Sequence, residues 1–288
     1  MNQEHIDVLV VGAGISGIGA GYYLKTKCPN KSFKILESRK KLGGTWDLFK
    51  YPGIRSDSDM TTMGFRFKPW TGKNLVAGGG AILDYLNDVV DENGFRDKIQ
   101  YNSHVIKASW KSSESKWYVT YQDKNDESKT IITCNFLYFC VGYYDYEKGH
   151  EPEFDGQNEF NGTIIHPQHW PEDLDYKDKN VVVIGSGATA VTLIPSMANK
   201  TRHITMLQRS PTYYMVRPNI DPIGAFFRRF MGKTVSYFVM RWKNIRLQSW
   251  FFKRARKDPK LTKDFLIGVV KEKLDPEHNE DKHFTPSY

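Results

Sequence analysis

The sequence predicts an α/β fold built on two nucleotide-binding β-α-β units. Residues 6–11 form a β-branched run that ends in the glycine turn GAGISG. A helix-like stretch with small residues on its early turns follows, then a second short strand. The same order restarts 173 residues later (185 − 12), where residues 180–184 run into the turn GSGATA. The composition permits two domains: 288 residues, 40% hydrophobic and 26% charged, suit a soluble globular chain with a sizeable core.

Each element has a local reason. Residues 6–11 read as a buried parallel strand, 15–27 as a helix and 33–37 as the next strand. Residues 43–70 are rich in Gly, Pro, Asp and Ser and read as loop. Residues 81–93 carry Ile82, Leu83, Tyr85, Leu86, Val89 and Val90 at helical spacing, and Gly94 ends that helix. Strands are expected at 104–110, 117–121, 129–134 and 136–141, with the polar turn DKNDES between two of them. After the second β-α-β unit the character changes. Residues 223–274 are rich in Phe, Trp, Tyr, Arg and Lys and read as two or three helices broken near Asp258-Pro259. The expected organisation is therefore two Rossmann-like domains: a first domain at 1–145, a linker at 146–178 and a second domain at 179–288. A basic helical insertion occupies about 220–275.

Composition narrows the chemistry. Cys28, Cys134 and Cys140 are few, odd in number and without a CxxC, so neither a disulfide framework nor a zinc site is expected, and a reducing cytoplasm fits. No metal cluster and no G-x-S-x-G elbow support a hydrolase. The N-terminal stretch lacks a signal-peptide pattern, and no apolar run reaches the roughly 20 residues of a spanning helix. The net charge of +8 is uneven: residues 223–275 hold 14 Lys+Arg against 4 Asp+Glu, a net of +10, which leaves −2 for the remainder.

The two glycine turns differ in what they read. In the first, Gly12, Gly14 and Gly17 fit G-x-G-x-x-G. Gly12 permits the tight turn, Gly14 lets a pyrophosphate approach a helix N-terminus, and Gly17 allows close helix–strand packing. Glu37 stands 25 residues after Gly12, where a carboxylate accepts hydrogen bonds from ribose hydroxyls. The bland alternative is a structural turn with a surface glutamate. In the second turn Gly185 and Gly187 precede Ala188, Thr189 and Ala190, the last an allowed variant of the third glycine. Arg209 and Ser210 occupy the strand end in place of an acid. A guanidinium matches a 2′-phosphate in charge and geometry, so NADPH is expected over NADH. The alternative is a solvated strand-end charge. Two dinucleotide sites imply an electron relay, with FAD as the natural first-site ligand, and the missing CxxC argues against a disulfide reductase.

Between the turns, FNGTIIHPQHWP places Phe160, Gly162, His166, Trp170 and Pro171 in the pattern F-x-G-x-x-x-H-x-x-x-W-P. This resembles the fingerprint of Baeyer–Villiger monooxygenases. The related flavin-containing monooxygenases usually carry another aromatic where this chain has Trp170. GGTWDLFKYPGIRSD supplies Gly44, Trp46, Tyr51, Pro52, Gly53 and Asp57 in the order of a second motif of the family. The resemblance runs from Ile6 to the last residue. It implies that NADPH reduces FAD, that reduced flavin captures O2, and that one oxygen is inserted beside a ketone carbonyl to give an ester or lactone, with sulfur oxidation as a side or main activity. It places Gly44, Thr45, Trp46 and Asp57 at the FAD.

The chemistry requires a fixed cation near the flavin and exclusion of water. In the family that cation is an arginine oriented by the aspartate that is Asp57 here. Asp57 also reads as a loop cap, a duty Asp59 could share, and Arg55 could pair with either. The family's arginine follows an aromatic-Pro-Tyr segment, and this chain ends at HFTPSY. An N-terminal fragment of a longer enzyme is therefore expected.

His166 and Trp170 are expected to help set domain closure, against a plain linker role. A flavin-containing N- or S-monooxygenase is the alternative enzyme, and an inactive truncated product is the alternative from another class. For the basic aromatic segment three readings stand: an amphipathic surface on anionic lipid, a nucleic-acid contact with no recognised module to frame it, and a helical insertion packed on other parts of its domain. Nucleic acid is the reading least supported and is not expected as a partner.

Overall fold

The structure is a computed structural model that describes residues 4–215, 218–275 and 280–287. The first three residues of the stretch read as lacking a signal peptide lie outside these. By contacts the chain divides into two compact units. One is Met1–Lys50 with Gly79–Pro171, and the other is Tyr51–Gly78 with Glu172–Tyr288. Consecutive boundaries at 145 and 178 do not anticipate that Tyr51–Gly78 joins the second unit.

The first unit is built on a six-stranded sheet: β1 (His5–Val11), β2 (Phe33–Leu36), β3 (Ile99–Gln100), β4 (Ser103–Lys111), β5 (Lys116–Asp123) and β6 (Lys129–Phe139). The strand order is β3-β2-β1-β6-β5-β4. β1 pairs in parallel with both β2 and β6, while β4, β5 and β6 form an antiparallel meander. The expected strands at 129–134 and 136–141 are one strand. Its first half pairs antiparallel with β5 from Lys129 to Cys134, and its second half pairs parallel with β1 from Thr133 to Phe139. The change of partner is why the residue pattern shifts midway without a break in the backbone.

Ile6, Leu9, Leu36, Val119, Tyr121, Ile132 and Cys134 form a buried core cluster in this sheet. Helix α1 (Ile15–Lys27) buries Gly17, Ile18, Gly19 and Gly21. A short α2 (Thr45–Leu48) follows β2. The helix expected at 81–93 belongs to this unit and runs from Gly79 to Glu92, with Ile82, Tyr85, Leu86, Val89 and Val90 buried and Gly94 at φ +59° after its end.

The second unit contains α3 (Met60–Met63), a parallel pair β7 (Asn180–Ile184) and β8 (His203–Leu207), and the connecting α5 (Ala188–Met197), the Gly79–Glu92 helix being α4. The basic segment forms α6 (Pro222–Lys257) and α7 (Pro259–Lys271). The break falls at Asp258, as expected: its side chain accepts the Leu261 N–H at 3.1 Å and Pro259 opens α7. A second interruption lies inside α6 at Gly232, with φ +76° and ψ 172°.

α6 is held onto α3 by polar contacts. Asn244 donates to the Asp59 carboxylate and to the Thr61 hydroxyl, each at 3.0 Å, and Gln248 donates to the other Asp59 oxygen at 2.9 Å. Arg241 donates to the carbonyls of Thr61, Thr62 and Gly64 at 2.7–3.0 Å. The carbonyls at the end of a short helix have no intrahelical donors, and the guanidinium supplies them.

Candidate nucleotide-binding sites

β1 sits at the centre of its sheet, so its C-terminal end opens where β2 and β6 also end. The glycine turn lies there. Gly12 has φ +101°, and a Cβ on it would stand 2.6 Å from the Cys140 carbonyl oxygen. A Cβ on Gly17 would stand 1.9 Å from the Gly12 carbonyl oxygen. Both positions are therefore closed to any other residue. Gly14 caps α1 with no side-chain partner, and no acid stands in the first turn. The N–H groups of that turn stay available to an anion.

Glu37 follows β2 and is buried. One carboxylate oxygen accepts the Ala13 N–H at 2.7 Å and the other accepts the Arg39 N–H at 2.9 Å. The side chain is thus fixed beside the glycine turn, with lone pairs left for hydroxyl donors. Gly12, Gly14, Glu37, Gly44, Thr45 and Trp46 all line one cleft of about 540 Å³, within the size range of cofactor sites. The residues fit a dinucleotide on three counts: the steric cradle at the turn, the uncapped helix start and the anchored carboxylate.

Three features of this cleft were not read from sequence. Arg39 forms an ion pair with Asp47 at 2.6 Å and also donates to the Asp47 carbonyl, which ties α2, with Thr45 and Trp46 at its start, to the chain after β2. Tyr143, Tyr144 and Tyr146, just after β6, line the cleft as well. Burial pushes the Tyr146 hydroxyl pKa up, and the Arg39 guanidinium lies 5.8 Å from its ring centroid. The aromatic run YYDY was the available signal for this lip.

The fingerprint residues up to Pro171 belong to the first unit. His166 caps a short 3-10 turn at Pro167–His169: its Nδ1 accepts the Gln168 N–H at 3.2 Å. Gln168 is buried and donates from its side chain to the Asp145 carbonyl. The His166 ring also lies against Gly149, where a Cβ would meet it at 2.2 Å. The fingerprint histidine therefore braces residues 145–149, part of which lines the cleft. Trp170 is half-buried, and Phe160, Gly162 and Pro171 are exposed.

Asp57 is exposed and belongs to the second unit. The loop cap is Asp59, which accepts the Thr62 N–H at 3.0 Å. Among the described residues Arg55 makes no ion pair with either carboxylate. The Tyr51 hydroxyl is raised in pKa, first by burial, against the hydrogen bond with Thr189 that lowers it, and then by the Asp57 charge. This motif thus reaches the start of α5.

At the second turn Gly185 has φ +129° and donates its N–H to the Leu207 carbonyl at 2.8 Å. Gly187 is the residue before α5, again without a side-chain cap. Gly187 and Ala188 are exposed, Thr189 is half-buried and Ala190 is buried. The Ser186 hydroxyl donates to the Ser210 carbonyl at 3.3 Å, which ties the turn to the segment after β8. Arg209 is exposed there. Turn, helix start and the segment that carries Arg209 thus lie together at one edge of the unit. Among the described residues no group of three His, Cys, Asp or Glu could hold a metal, and no helix is long and apolar enough to cross a membrane.

Residues 10–71 match the model of the NAD(P)-binding Rossmann-like domain, and residues 74–266 match that of the flavin-binding monooxygenase-like family. The chain belongs to the flavin-binding monooxygenase-like family. It is 48% identical to the FAD-containing monooxygenase EthA of Mycobacterium tuberculosis over 286 residues, covering 99% of this chain and 58% of that protein. It is 48% identical to the probable FAD-binding monooxygenase AlmA of an Acinetobacter species, covering 57% of it. The chain thus spans little more than half the length of these relatives. Among solved structures, cyclohexanone-bound cyclohexanone monooxygenase superposes with a TM-score of 0.70 at 27% identity, covering 84% of this chain and 45% of that one. An oxidised steroid monooxygenase bound to NADP superposes with a TM-score of 0.68 at 28% identity, covering 81% and 43%.

Proposed function

We propose that this chain forms the nucleotide-binding part of an FAD-dependent, NADPH-consuming monooxygenase that inserts one oxygen atom from O2 into a ketone to give an ester or lactone, and that also oxidises sulfur in thioethers or thioamides. The observation that carries the proposal is the pairing of two complete glycine turns with a fingerprint loop whose His166 braces the lip of the first. Relatives named as FAD-containing monooxygenases and a cyclohexanone-bound neighbour support it.

The first turn would take FAD, with its pyrophosphate at the start of α1 and a ribose on Glu37. The second would take NADPH, with Gly185, Gly187, Ala188, Thr189 and Ala190 at the pyrophosphate and Arg209 and Ser210 at the 2′-phosphate. When bound, the flavin supplies electron transfer to O2. The chain's own residues bind, orient and enclose. Tyr143, Tyr144 and Tyr146 line the mouth of the cleft, and His166, through Gln168, holds the carbonyl at Asp145 in place. Asp57 is proposed to orient a catalytic arginine supplied from elsewhere in the protein. His166 and Trp170 are proposed to couple nucleotide binding to closure. A cytoplasmic place with peripheral lipid contact through the basic helices completes the reading.

The test is oxygenation of a cyclic ketone and of a thioether by the full-length protein under labelled O2 with FAD and NADPH. Lactone carrying one labelled oxygen is expected. Sulfoxide with no lactone would point to the flavin-containing N- or S-monooxygenase class, and absence of NADPH-dependent O2 uptake would point to an inactive product.

A further inference from the structure

The Tyr51–Gly78 segment carries Asp57, and within the second unit it is held at two places by α6 and the chain just before it. The first hold is at Asp59, which is 2% exposed. Its carboxylate accepts the Thr62 N–H and hydroxyl locally, each at 3.0 Å. From α6 it accepts the Asn244 amide at 3.0 Å on one oxygen and the Gln248 amide at 2.9 Å on the other. The second hold is at residues 71–76. Arg228 donates to the Thr71 and Gly72 carbonyls at 2.9 and 2.8 Å. Asn219, shortly before α6, accepts the Leu75 N–H on its carbonyl at 2.7 Å and the Val76 N–H on its side-chain oxygen at 3.2 Å.

Residues 75–77 in turn hold the strip around Asp57. The Ala77 carbonyl accepts the Ser56 N–H at 2.9 Å, and the Leu75 carbonyl accepts the Met60 N–H at 2.8 Å. Ser56 is 3% exposed, so Asp57 stands between two buried anchors, Ser56 and Asp59, while its own side chain is exposed. The two carboxylates divide the work. Asp59 is engaged at both oxygens and fixes the backbone, and Asp57 is left for a partner outside the segment.

Asn244 is poorly suited to packing alone. It is fully buried, and only its NH2 end is used: it donates to Asp59 and to the Thr61 hydroxyl, each at 3.0 Å. Its Oδ1 is buried with no partner among the described residues. Burial of an unpaired carbonyl costs stability, and a leucine of similar size would avoid that cost. What the amide supplies is a donor to a charged acceptor at a fixed place.

We propose that Asn244 is a positioning residue for the oxygenation: through Asp59 it fixes the loop that presents Asp57 to the catalytic arginine. The inference rests on the role proposed above for Asp57. Asn244 acts through Asp59 and the backbone from Ser56 to Met60. A misplacement of about 1 Å at a reacting centre costs on the order of a hundredfold in rate, so a small shift of this loop is enough to matter.

The test uses the full-length protein loaded with FAD and compares wild type, Asn244→Leu, Asp57→Asn and the double variant. Melting temperature, bound FAD, and kcat and KM for a cyclic ketone are read. Asn244→Leu is expected to keep the melting temperature within about 4 °C and the bound FAD unchanged. Its kcat is expected to fall about tenfold with KM altered by less than about twofold. The double variant is expected to match Asp57→Asn within about twofold, since both changes act on one carboxylate. Gln248→Ala removes the donor to the other Asp59 oxygen from an exposed position. It is read by the same criteria where Asn244→Leu does not fold, with an expected loss of about threefold in kcat. Wild-type kcat in these α6 variants, or losses that multiply in the double variant, would overturn the proposal and leave the role of Asp57 standing. Wild-type kcat in Asp57→Asn would remove that role and the proposal with it.

Discussion

Gly17 and Glu37 show why the first turn was legible one residue at a time. A Cβ at Gly17 meets the backbone of its own turn at 1.9 Å, so no rotamer relieves the contact. Gly17→Ala is predicted to destabilise the fold by about 1–3 kcal/mol, read by urea unfolding. Glu37 is held at both oxygens by backbone N–H groups, so its position is set before any ligand arrives. Glu37→Gln is predicted to weaken FAD binding by about tenfold, because one anionic acceptor is lost, with the change read by quenching of flavin fluorescence on titration.

Asp59 stands at the other extreme. Its partners Asn244 and Gln248 lie 185 and 189 residues away, and no local pattern announces them. Burial pushes its pKa up, but the hydrogen bonds from Thr61, Asn244 and Thr62 outweigh this and hold it below the ordinary carboxylate value. The folded value is depressed, so Asp59 contributes stability above its unfolded value of about 4, and that contribution is lost as pH falls through the folded one. Asp59→Asn is predicted to flatten the stability–pH curve in that acid range and to cost about 1–3 kcal/mol at neutral pH, because a buried charged acceptor is replaced by an amide.

Elements were legible where one neighbour decides them. β1 reads as a continuous apolar run because Leu9, Val10 and Val11 are buried on both faces of the sheet, and α5 buries Ala190, Leu193 and Met197 at helical spacing. β6 was read as two strands because its halves answer to different partners, β5 and then β1. The Tyr51–Gly78 segment, read only as a loop, takes its place from α6, which is remote in sequence. α6 itself turns on Gly232. A Cβ there would meet nothing within 4 Å, yet its φ of +76° with ψ of 172° is a conformation open essentially to glycine alone. Gly232→Ala is therefore predicted to cost about 1–3 kcal/mol through the backbone alone, read by thermal unfolding at unchanged oligomeric state. A cost near zero would mean that the interruption is not needed.

At the scale of the molecule, two glycine turns stand on two compact units, and each is proposed as a nucleotide site. The members of each turn were found by spacing because a pyrophosphate makes local demands. The Arg39–Asp47 pair and the tyrosine lip were not, because they depend on how α2 and the chain after β6 meet in space. The central claim is that the first turn holds FAD and the second delivers hydride to it from NADPH. The direct measurement is anaerobic rapid mixing of the FAD-loaded chain with NADPH or NADH, following the visible flavin absorbance. The account predicts bleaching by NADPH at a rate at least about tenfold above NADH, with the preference lost in Arg209→Ala, since a guanidinium and a 2′-phosphate form a charge-assisted pair. Equal rates with the two nucleotides, or bound flavin that neither reduces, would contradict it.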